Sequence, residues 1–372
     1  MIKSYKNSDH DQNIIINDLN IRSADRGKKD ISTWRNALVA AESVYFPNRS
    51  RLYDLYDDVI LDGHLSGVIS KRMDAVINKE LYFEVNGQKD HTFDGLIHSL
   101  SFRKIMQTIL ETQLWGISGV EFIPGKELAF ETIPRKHIKP EQGIIAYEQT
   151  GTDGIPYSSL SNVWVLGDPS DLGLLLKCAP LCLYKRGGLS DWAEYIEIYG
   201  QPVRIIRYDS YDEQTKMELR KVLEESGSSL SVMLPRQADF EIKDGKQSNS
   251  DGDLQLSFIK LLNEEMSIII LGNTDTTNSS NSSGYAQSKI HLQQQYEITR
   301  SDLSYTAAML NDPKFLAILS SYGYPVTGGQ FVFSKDMDID YLTRRIAIDK
   351  EVAEKIAIPD SYWYDTYGIK EL

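Results

Sequence analysis

The order of parts in the second half of the chain constrains the fold more than any single residue does. The apolar spacing predicts amphipathic helices within 172–201, 251–271 and 285–310. Between the first two lies a compact mixed segment, 202–250, and between the last two lies a polar segment, 272–284. If the two helices that bracket a segment pack side by side, the segment projects from one end of the helix pair. The polar segment then lies at the other end of the pair.

The first 171 residues carry signals of both helix and strand. Residues 1–30 are polar apart from a short apolar patch, and we interpret them as a flexible arm that becomes ordered only against a neighbour. LYFEV (81–85) is typical of a strand, and SFRKIMQTILETQLW (101–115) has one apolar helical face. Gly116 then indicates a turn from helix to strand. The segment 31–171 is therefore predicted to be α+β.

Two of the predicted helices contain residues that break their pattern. The helix expected after residue 63 has a cation, Arg72, within its apolar face. The apolar positions of that face are Leu65, Val68, Ile69, Val76 and Ile77. In the segment 172–201, Pro180 is expected to kink the helix, since it lacks a backbone N–H. Gly187 and Gly188 are expected to interrupt it, so that a new helix starts after Ser190.

The composition and the motifs argue against enzymatic chemistry. The 372 residues carry a formal net charge of -13, whereas proteins that grip nucleic acid over a broad surface are normally basic. Neither GxxxxGK[ST] nor GxGxxG occurs, and the six histidines lack metal-ligand spacing. The two cysteines, Cys178 and Cys182, are interpreted as small buried hydrophobes. Carboxylate pairs such as Asp57 with Asp58 are expected on helix faces. No catalytic residue, metal ligand or cofactor is predicted.

No membrane segment is predicted either. No apolar stretch follows Met1, so we expect no signal peptide. The longest apolar run, 172–183, is interrupted by Lys177 and is too short to cross a bilayer.

Several short stretches resemble one protein family. They are DWAEYIEIYGQPVRIIRYD (191–209), ILGNTDTT (270–277), SGYAQSKIHLQQQYEITRSDL (283–303) and, less closely, IAIPDSYWYDTYGI (356–369). Together with the order of parts, they resemble the portal proteins of tailed bacteriophages, and among these the group similar to the Mu portal.

The resemblance implies a portal-type α+β fold with named parts. Residues 1–30 would be an N-terminal arm, 31–171 the N-terminal part of the wing, and 172–201 the first stem helix. Residues 202–250 would be a small β-α-β-β clip, 251–271 the second stem helix, and 272–284 the tunnel loop. Residues 285–372 would be a long helix and the C-terminal part of the wing, with a crown that is minimal or absent.

The resemblance also implies the partners. The expected assembly is a ring of twelve copies at a capsid vertex of the virion, built in the cytoplasm of a bacterial host. Double-stranded DNA would pass through the ring without sequence specificity. The clip would dock the large terminase subunit and later the neck proteins, and the ring would also contact capsid protein.

Two groups of residues are candidates for these roles. The polar segment suits a wall along which DNA slides, because hydroxyl and amide groups make weak, exchangeable hydrogen bonds to phosphates. The DNA-channel candidates are Asn273, Thr274, Thr276, Thr277, Asn278, Ser279, Ser280, Asn281, Ser282 and Ser283. The apolar stripes of the stem helices suit packing within or between subunits. The stem-packing candidates are Trp192, Ile196, Tyr199, Leu254, Phe258, Leu261, Leu262 and Ile269.

Two other classes of function stay open at this point. One is a different structural protein of a phage-like particle, such as a neck adaptor or a baseplate component, without a module between two helices. The other is a hydrolase with a site of scattered carboxylates, which would cluster in one deep pocket.

Overall fold

The computed structural model describes residues 14–199, 204–208, 213–214, 217, 220–221, 231–235, 253–273, 285–334 and 339–367. Its helices are α1 (Ile31–Ala41), α2 (Ser50–Val59), α3 (Gly63–Ile77), α4 (Asp94–Ile97), α5 (Leu100–Trp115), α6 (Leu175–Tyr199), α7 (Asp253–Leu271), α8 (Tyr285–Leu310), α9 (Pro313–Ser321), α10 (Ile339–Ala353) and α11 (Asp360–Tyr367). Its strands are β1 (Leu81–Val85), β2 (Gln88–Lys89), β3 (Ile117–Ile123), β4 (Ala129–Thr132), β5 (Ile138–Lys139), β6 (Ile144–Ala146), β7 (Gly154–Pro156), β8 (Val163–Gly167), β9 (Arg204–Tyr208), β10 (Ser231–Pro235) and β11 (Gly329–Phe333). The predicted α+β fold class is confirmed.

One hydrophobic core lies among α1, α2 and α3, the first half of α6 and the end of α7. On α2, Tyr53 and Tyr56 are fully buried and pack edge-on or tilted against Trp115 at the end of α5. The break between α2 and α3 is set by Asp62, whose carboxylate accepts the N–H groups of His64 and Leu65 at 3.0 Å each. This core joins the first part of the chain to both helices that bracket 202–250.

A second core joins segments that are far apart in the sequence. Strand β1 is the centre of the sheet β11-β1-β2, and it pairs antiparallel with β11, with Phe83 opposite Phe331. The Phe83 ring stacks on Phe93 with 3.9 Å between ring centroids. Helices α5, α8 and α9 close over this sheet and over β3 and β8. Residues 81–85 and 329–333 therefore belong to one packed unit.

Helix α5 and strand β3 connect the two cores through a tight turn. Gly116 has a φ of 80°, and a Cβ at this position would lie 2.4 Å from the Asp171 carbonyl oxygen. A residue with a side chain could adopt neither this conformation nor this close approach without strain. The predicted turn at Gly116 is confirmed, and β3 continues as the central strand of the sheet β4-β3-β8.

The prediction of a flexible arm is wrong for residues 14–30; residues 1–13 lie outside the described part. Ile15 and Leu19 are 4% and 8% exposed, and both belong to the first core. The carboxylate of Glu121 on β3 accepts the backbone N–H groups of Ile15 and Ile16 at 2.9 and 3.1 Å. Burying two aliphatic side chains stabilises this arrangement by roughly 3–6 kcal/mol. The segment is thus part of its own subunit's core.

The predicted interruption at Gly187 and Gly188 is also wrong, because α6 is one helix of 25 residues, with Pro180 inside it. Ser190 lies inside it and does not start a new helix. Pro180 leaves the carbonyl oxygen of Leu176 without its helical donor, and the indole N–H of Trp34 donates to that oxygen at 3.3 Å. Packing of α6 against α1, α2 and α7 outweighs the cost of its glycines, about 1 kcal/mol each.

Part of the segment between α6 and α7 is described. Strands β9 and β10 pair in parallel, with Arg204 opposite Ser231 and Tyr208 opposite Pro235. Parallel strands need a crossover connection, and the described residues between them, 213–214, 217 and 220–221, are helical. This agrees with the strand-helix-strand order predicted for the segment. The further strand expected at 238–242 lies outside the described residues.

The described C-terminal residues are mainly helical. After β11, the described part consists of α10 and α11. The Tyr362 hydroxyl on α11 accepts hydrogen bonds from the guanidinium of Arg345. The same hydroxyl donates a hydrogen bond to the Asp349 carboxylate at 2.8 Å. Among the described residues, no helix combines the length and the apolar character that crossing a bilayer requires.

Candidate functional site

Helices α6 and α7 form an antiparallel pair. The Cys182 sulfur lies 3.4 Å from the Met266 sulfur, and farther along α6 the Cα of Gly188 faces the ring of Phe258. The contacts advance along α6 while they go back along α7, so the two helices run in opposite directions. The chain therefore leaves α6 and enters α7 at one end of the pair. The polar segment 272–284 begins at the other end.

The cysteines in this pair are buried and free, as the sequence indicated. Burial raises the pKa of the Cys178 and Cys182 thiols to about 12. A thiol is nucleophilic only as the thiolate, so neither cysteine is reactive near neutral pH.

Two ion pairs tie the N-terminal helices to α6. Arg186 Nη1 lies 2.7 Å from Asp58 Oδ2, and Lys185 Nζ lies 2.8 Å from Asp62 Oδ2. Asp62 and Lys185 are mostly buried, whereas the Arg186 side chain is half-exposed. Adjacent cations of α6 are thus each held by a carboxylate at the α2–α3 turn.

A neutral histidine ties the same turn to α7. His64 Nε2 lies 2.9 Å from the Ser267 hydroxyl oxygen. Burial, together with the nearby Lys185 ammonium, lowers the pKa of His64 below its usual value of about 6.5. The imidazole is therefore uncharged at neutral pH and bonds to the hydroxyl as a neutral ring.

A largely buried arginine side chain lies where α7 ends. Arg72 on α3 binds the carboxylate of Asp302 on α8 through two parallel hydrogen bonds, of 2.8 and 2.9 Å. It also donates to the Ile270 carbonyl oxygen at 2.8 Å and to Gln113 Oε1 at 3.0 Å. We call Arg72, Gln113, Ile270 and Asp302 the loop-base cluster. It brings together four helices, α3, α5, α7 and α8.

The polar segment starts immediately after this cluster. Gly272 has a φ of 75°, and its N–H donates to the Ile268 carbonyl oxygen at 2.9 Å, which ends α7 as predicted. A Cβ at Gly272 would lie 2.7 Å from Ile298 Cδ1 on α8. The first residues of the segment are therefore held against α8.

The sequence can now be compared with known proteins. The family described as the portal protein of Mu bacteriophage matches residues 53–369, which is most of the chain. This chain belongs to the Mu portal protein family. The resemblance noted from the short motifs is thereby confirmed.

Individual relatives are more distant. The Mu-like prophage FluMu protein gp29 of Haemophilus influenzae is 27% identical over 143 residues. That match covers 38% of this chain and 27% of the relative, so it spans about a quarter of the relative's length.

Two solved structures align with most of this chain at low sequence identity. A chain from the neck of an empty GTA particle aligns with a TM-score of 0.56 at 11% identity, covering 85% of this chain and 94% of that chain. An HK97 family phage portal protein from Corynebacterium diphtheriae aligns with a TM-score of 0.42 at 11% identity, covering 82% of this chain and 97% of that chain.

In this portal-family chain the candidate DNA-channel residues fall into two groups. Residues 274–284 lie outside the described part, so the nine candidates from Thr274 to Ser283 stay predictions. Asn273 is 2% exposed. The expectation that Asn273 faces a channel is wrong, because Gly272 turns the chain and leaves Asn273 buried at the end of α7.

The stem-packing candidates divide between core and surface. Leu262 is 5% exposed, and Ile269 packs partly buried against the first core. Trp192 is half-buried, and the Tyr199 side chain lies outside the described part. The other candidates are exposed by 41–74%, and they are Ile196, Leu254, Phe258 and Leu261.

These exposed candidates are four of eight large apolar side chains that α6 and α7 leave exposed, and we call the eight together the exposed stem face. Its members on α6 are Tyr184, Leu189 and Ile196, and its members on α7 are Leu254, Leu256, Phe258, Leu261 and Ile268. A groove of about 570 Å³ lies between the two helices, beside Gly187 and Gly188. A Cβ at Gly187 would meet no atom within 4 Å, so the glycines leave this groove open.

The carboxylates do not form the pocket that a hydrolase would need, as far as the described residues go. Asp58 binds Arg186, and Asp302 binds Arg72. Glu121 is fully buried and accepts two backbone N–H groups. Each of these buried carboxylates is thus neutralised or hydrogen-bonded in a different part of the fold.

The sequence reasoning missed the role of Arg72, although the signal was present. A cation within the apolar face of a helix has to find a partner when that face is buried. The pattern identified the exception but not the partner, because Asp302 is 230 residues away.

Proposed function

We propose that this chain assembles as a homo-oligomeric portal ring of twelve copies at a capsid vertex. Double-stranded DNA would be packaged and ejected through the ring, and the terminase and neck proteins would dock on segment 202–250. In this proposal the chain performs no bond-making chemistry itself, since the terminase hydrolyses the ATP. Membership of the Mu portal family supports the role.

The observation that carries the proposal is the antiparallel α6–α7 pair. Its direction puts segment 202–250 at one end and segment 272–284 at the other. A portal subunit needs this arrangement, with a docking head outside the capsid and a loop at the channel. Asp58 and Asp62 form ion pairs with Arg186 and Lys185 on α6.

The exposed stem face supports ring formation. Eight large apolar side chains on two neighbouring helices are 38–74% exposed in a single subunit. Large exposed apolar surfaces mark interaction sites. In a closed ring each copy presents one patch to a different patch of the next copy, so such a face is covered on every subunit.

The charge supports sliding passage of DNA. The net charge of -13 repels phosphates on average, so tight non-specific binding is disfavoured. On α6, the cations Lys185 and Arg186 are both paired with carboxylates. They are therefore not free to hold a passing phosphate.

The first test is assembly. We expect the purified protein to form large rings that are visible in negative-stain electron micrographs. Light scattering should give the mass of a ring of many copies in solution. A protein that stays monomeric at micromolar concentration contradicts the proposal.

The second test is deletion of residues 274–283. We expect rings to form as in the wild type, because the apolar contacts of α6 and α7 are untouched, while DNA packaging or retention falls strongly. The measurement is the fraction of heads that hold DNA, with ring images as the control for assembly. Heads that fill and keep their DNA normally would remove the tunnel-loop assignment.

A further inference from the structure

Arg72 makes contacts that suit a role in positioning. Its side chain is 14% exposed, and the side chain of Asp302 is 2% exposed. Four of its five N–H groups have acceptors, namely both oxygens of Asp302, the Ile270 carbonyl and Gln113. A guanidinium with parallel bonds to a carboxylate fixes direction as well as distance.

The acceptors lie on the two helices that flank the polar segment. Ile270 is in the last turn of α7, two residues before Gly272. Asp302 lies within α8, whose first residue is Tyr285. At 1.5 Å per residue, the start of α8 is roughly 25 Å from Asp302 along the helix axis. The loop-base cluster thus joins the end of α7 to the middle of α8.

The remaining contacts connect this joint to the rest of the subunit. Arg72 is on α3, and Gln113 is on α5, which contributes to both hydrophobic cores. Gly272 against Ile298 adds a second contact between the end of α7 and α8. The end of α7 is therefore attached both to α8 and to the wing helices α3 and α5.

Stability alone is a poor reason for this cluster. Replacing a buried ion pair with apolar residues of similar volume is often neutral or stabilising, whereas removal of one partner is costly. A bidentate arginine that also holds a helix-end carbonyl contributes geometry that apolar side chains cannot supply.

We propose that Arg72 is a positioning residue that sets where the polar segment 272–284 and the first half of α8 stand relative to the wing. This rests on the proposed function, since the position matters only if the segment borders a DNA channel. Loss of the cluster leaves the ring assembled but lets the segment's base shift, so DNA packaging fails.

The test compares two paired substitutions. Arg72→Met with Asp302→Leu removes the loop-base cluster's charges together, so no charge is left buried and unpaired. Arg186→Met with Asp58→Leu is the matched control, since it removes another ion pair between the N-terminal helices and the stem. We expect both proteins to form rings and to melt within a few degrees of the wild type.

The readouts then separate the two variants. We expect the double substitution Arg72→Met with Asp302→Leu to raise the rate of amide hydrogen exchange at residues 270–273 at least tenfold. It should also lower the fraction of heads filled with DNA at least tenfold. The control double substitution, Arg186→Met with Asp58→Leu, should change neither the exchange rate nor the fraction of filled heads. Normal filling by the Arg72 pair, or equal losses in both variants, overturns the inference.

A second variant covers the case in which the paired substitution does not form rings. Arg72→Lys keeps the charge, but one ammonium cannot reproduce the planar fork to Asp302 together with the bonds to Ile270 and Gln113. We expect the Arg72→Lys protein to form rings but to give fewer DNA-filled heads than the wild type. A wild-type fraction of filled heads would overturn the inference. If deletion of 274–283 also leaves packaging normal, the loop assignment itself fails. If the deletion impairs packaging but the Arg72 variants do not, the loop assignment stands and only the role given to Arg72 fails.

Discussion

At the scale of single residues, Pro180 shows how a distant side chain can rescue a helix. Proline in a helix interior costs about 3 kcal/mol, partly because it leaves a carbonyl four residues earlier without a donor. Here that carbonyl belongs to Leu176, and the indole of Trp34 on α1 donates to it. The helix therefore continues through Pro180, and α1 is attached to α6 at the same point.

Trp34→Phe is expected to lower the free energy of unfolding by about 1–2 kcal/mol, because the Leu176 carbonyl then lacks a donor. With Pro180→Ala in place, the amide of residue 180 can bond to that carbonyl, so Trp34→Phe should cost about 1 kcal/mol less. Chemical denaturation of the four proteins measures this difference. Equal costs of Trp34→Phe in both backgrounds would contradict the role given to the indole.

At the scale of elements, strand β3 organises the N-terminal segment through one buried carboxylate. Glu121 is fully buried, and its two oxygens accept the N–H groups of Ile15 and Ile16. Asn162 donates to one of these oxygens at 3.3 Å. The first turn of the described chain is thus attached to the central strand of a sheet that forms 106 residues later.

Glu121→Gln is expected to destabilise this attachment by about 2 kcal/mol, because the amide group would face a backbone N–H in place of an accepting oxygen. Amide hydrogen exchange at Ile15 and Ile16 should accelerate, and urea denaturation should report the loss of stability. Glu131→Gln is the control, since Glu131 is the exposed register partner of Glu121 on β4. Equal changes in amide exchange and stability from both substitutions would contradict the role given to Glu121.

At the scale of the whole molecule, the α6–α7 pair has a buried end and an exposed end. Near α1, α2 and α3, the residues Cys182, Met266 and Ile270 are buried in the first core. Towards segment 202–250, Leu254, Phe258 and Leu261 are exposed. A single copy leaves this apolar surface in water, whereas neighbouring copies in a ring would cover it.

Leu261→Glu is expected to prevent ring formation without unfolding the subunit, because Leu261 is 52% exposed and contributes little to the core of one copy. Light scattering should report a smaller mass, and the thermal midpoint of the dissociated subunit should stay within a few degrees. Lys260→Glu is the control, since it changes the charge at the neighbouring exposed position. Intact rings of the Leu261→Glu protein would remove the stem face from the interface.

Much of the local structure was determined by the sequence. The helices α5, α7 and α8, the strand β1, the break at residues 62–63 and the helix end at Gly272 all agree with the pattern. These features depend on neighbours within a few turns, through apolar periodicity and through capping groups. The order of the helices around 202–250 and 272–284 could be predicted for the same reason, whereas the family was indicated by the resemblance of short stretches such as 191–209.

Tertiary structure decided the rest. Ile15 and Ile16 are held by Glu121, α6 passes Pro180 because Trp34 is near, and Arg72 is largely buried because Asp302 pairs with it. In each case the partner is at least 105 residues away. Local periodicity carries no information about such partners, since a buried polar group can be satisfied by any element that packing brings to it.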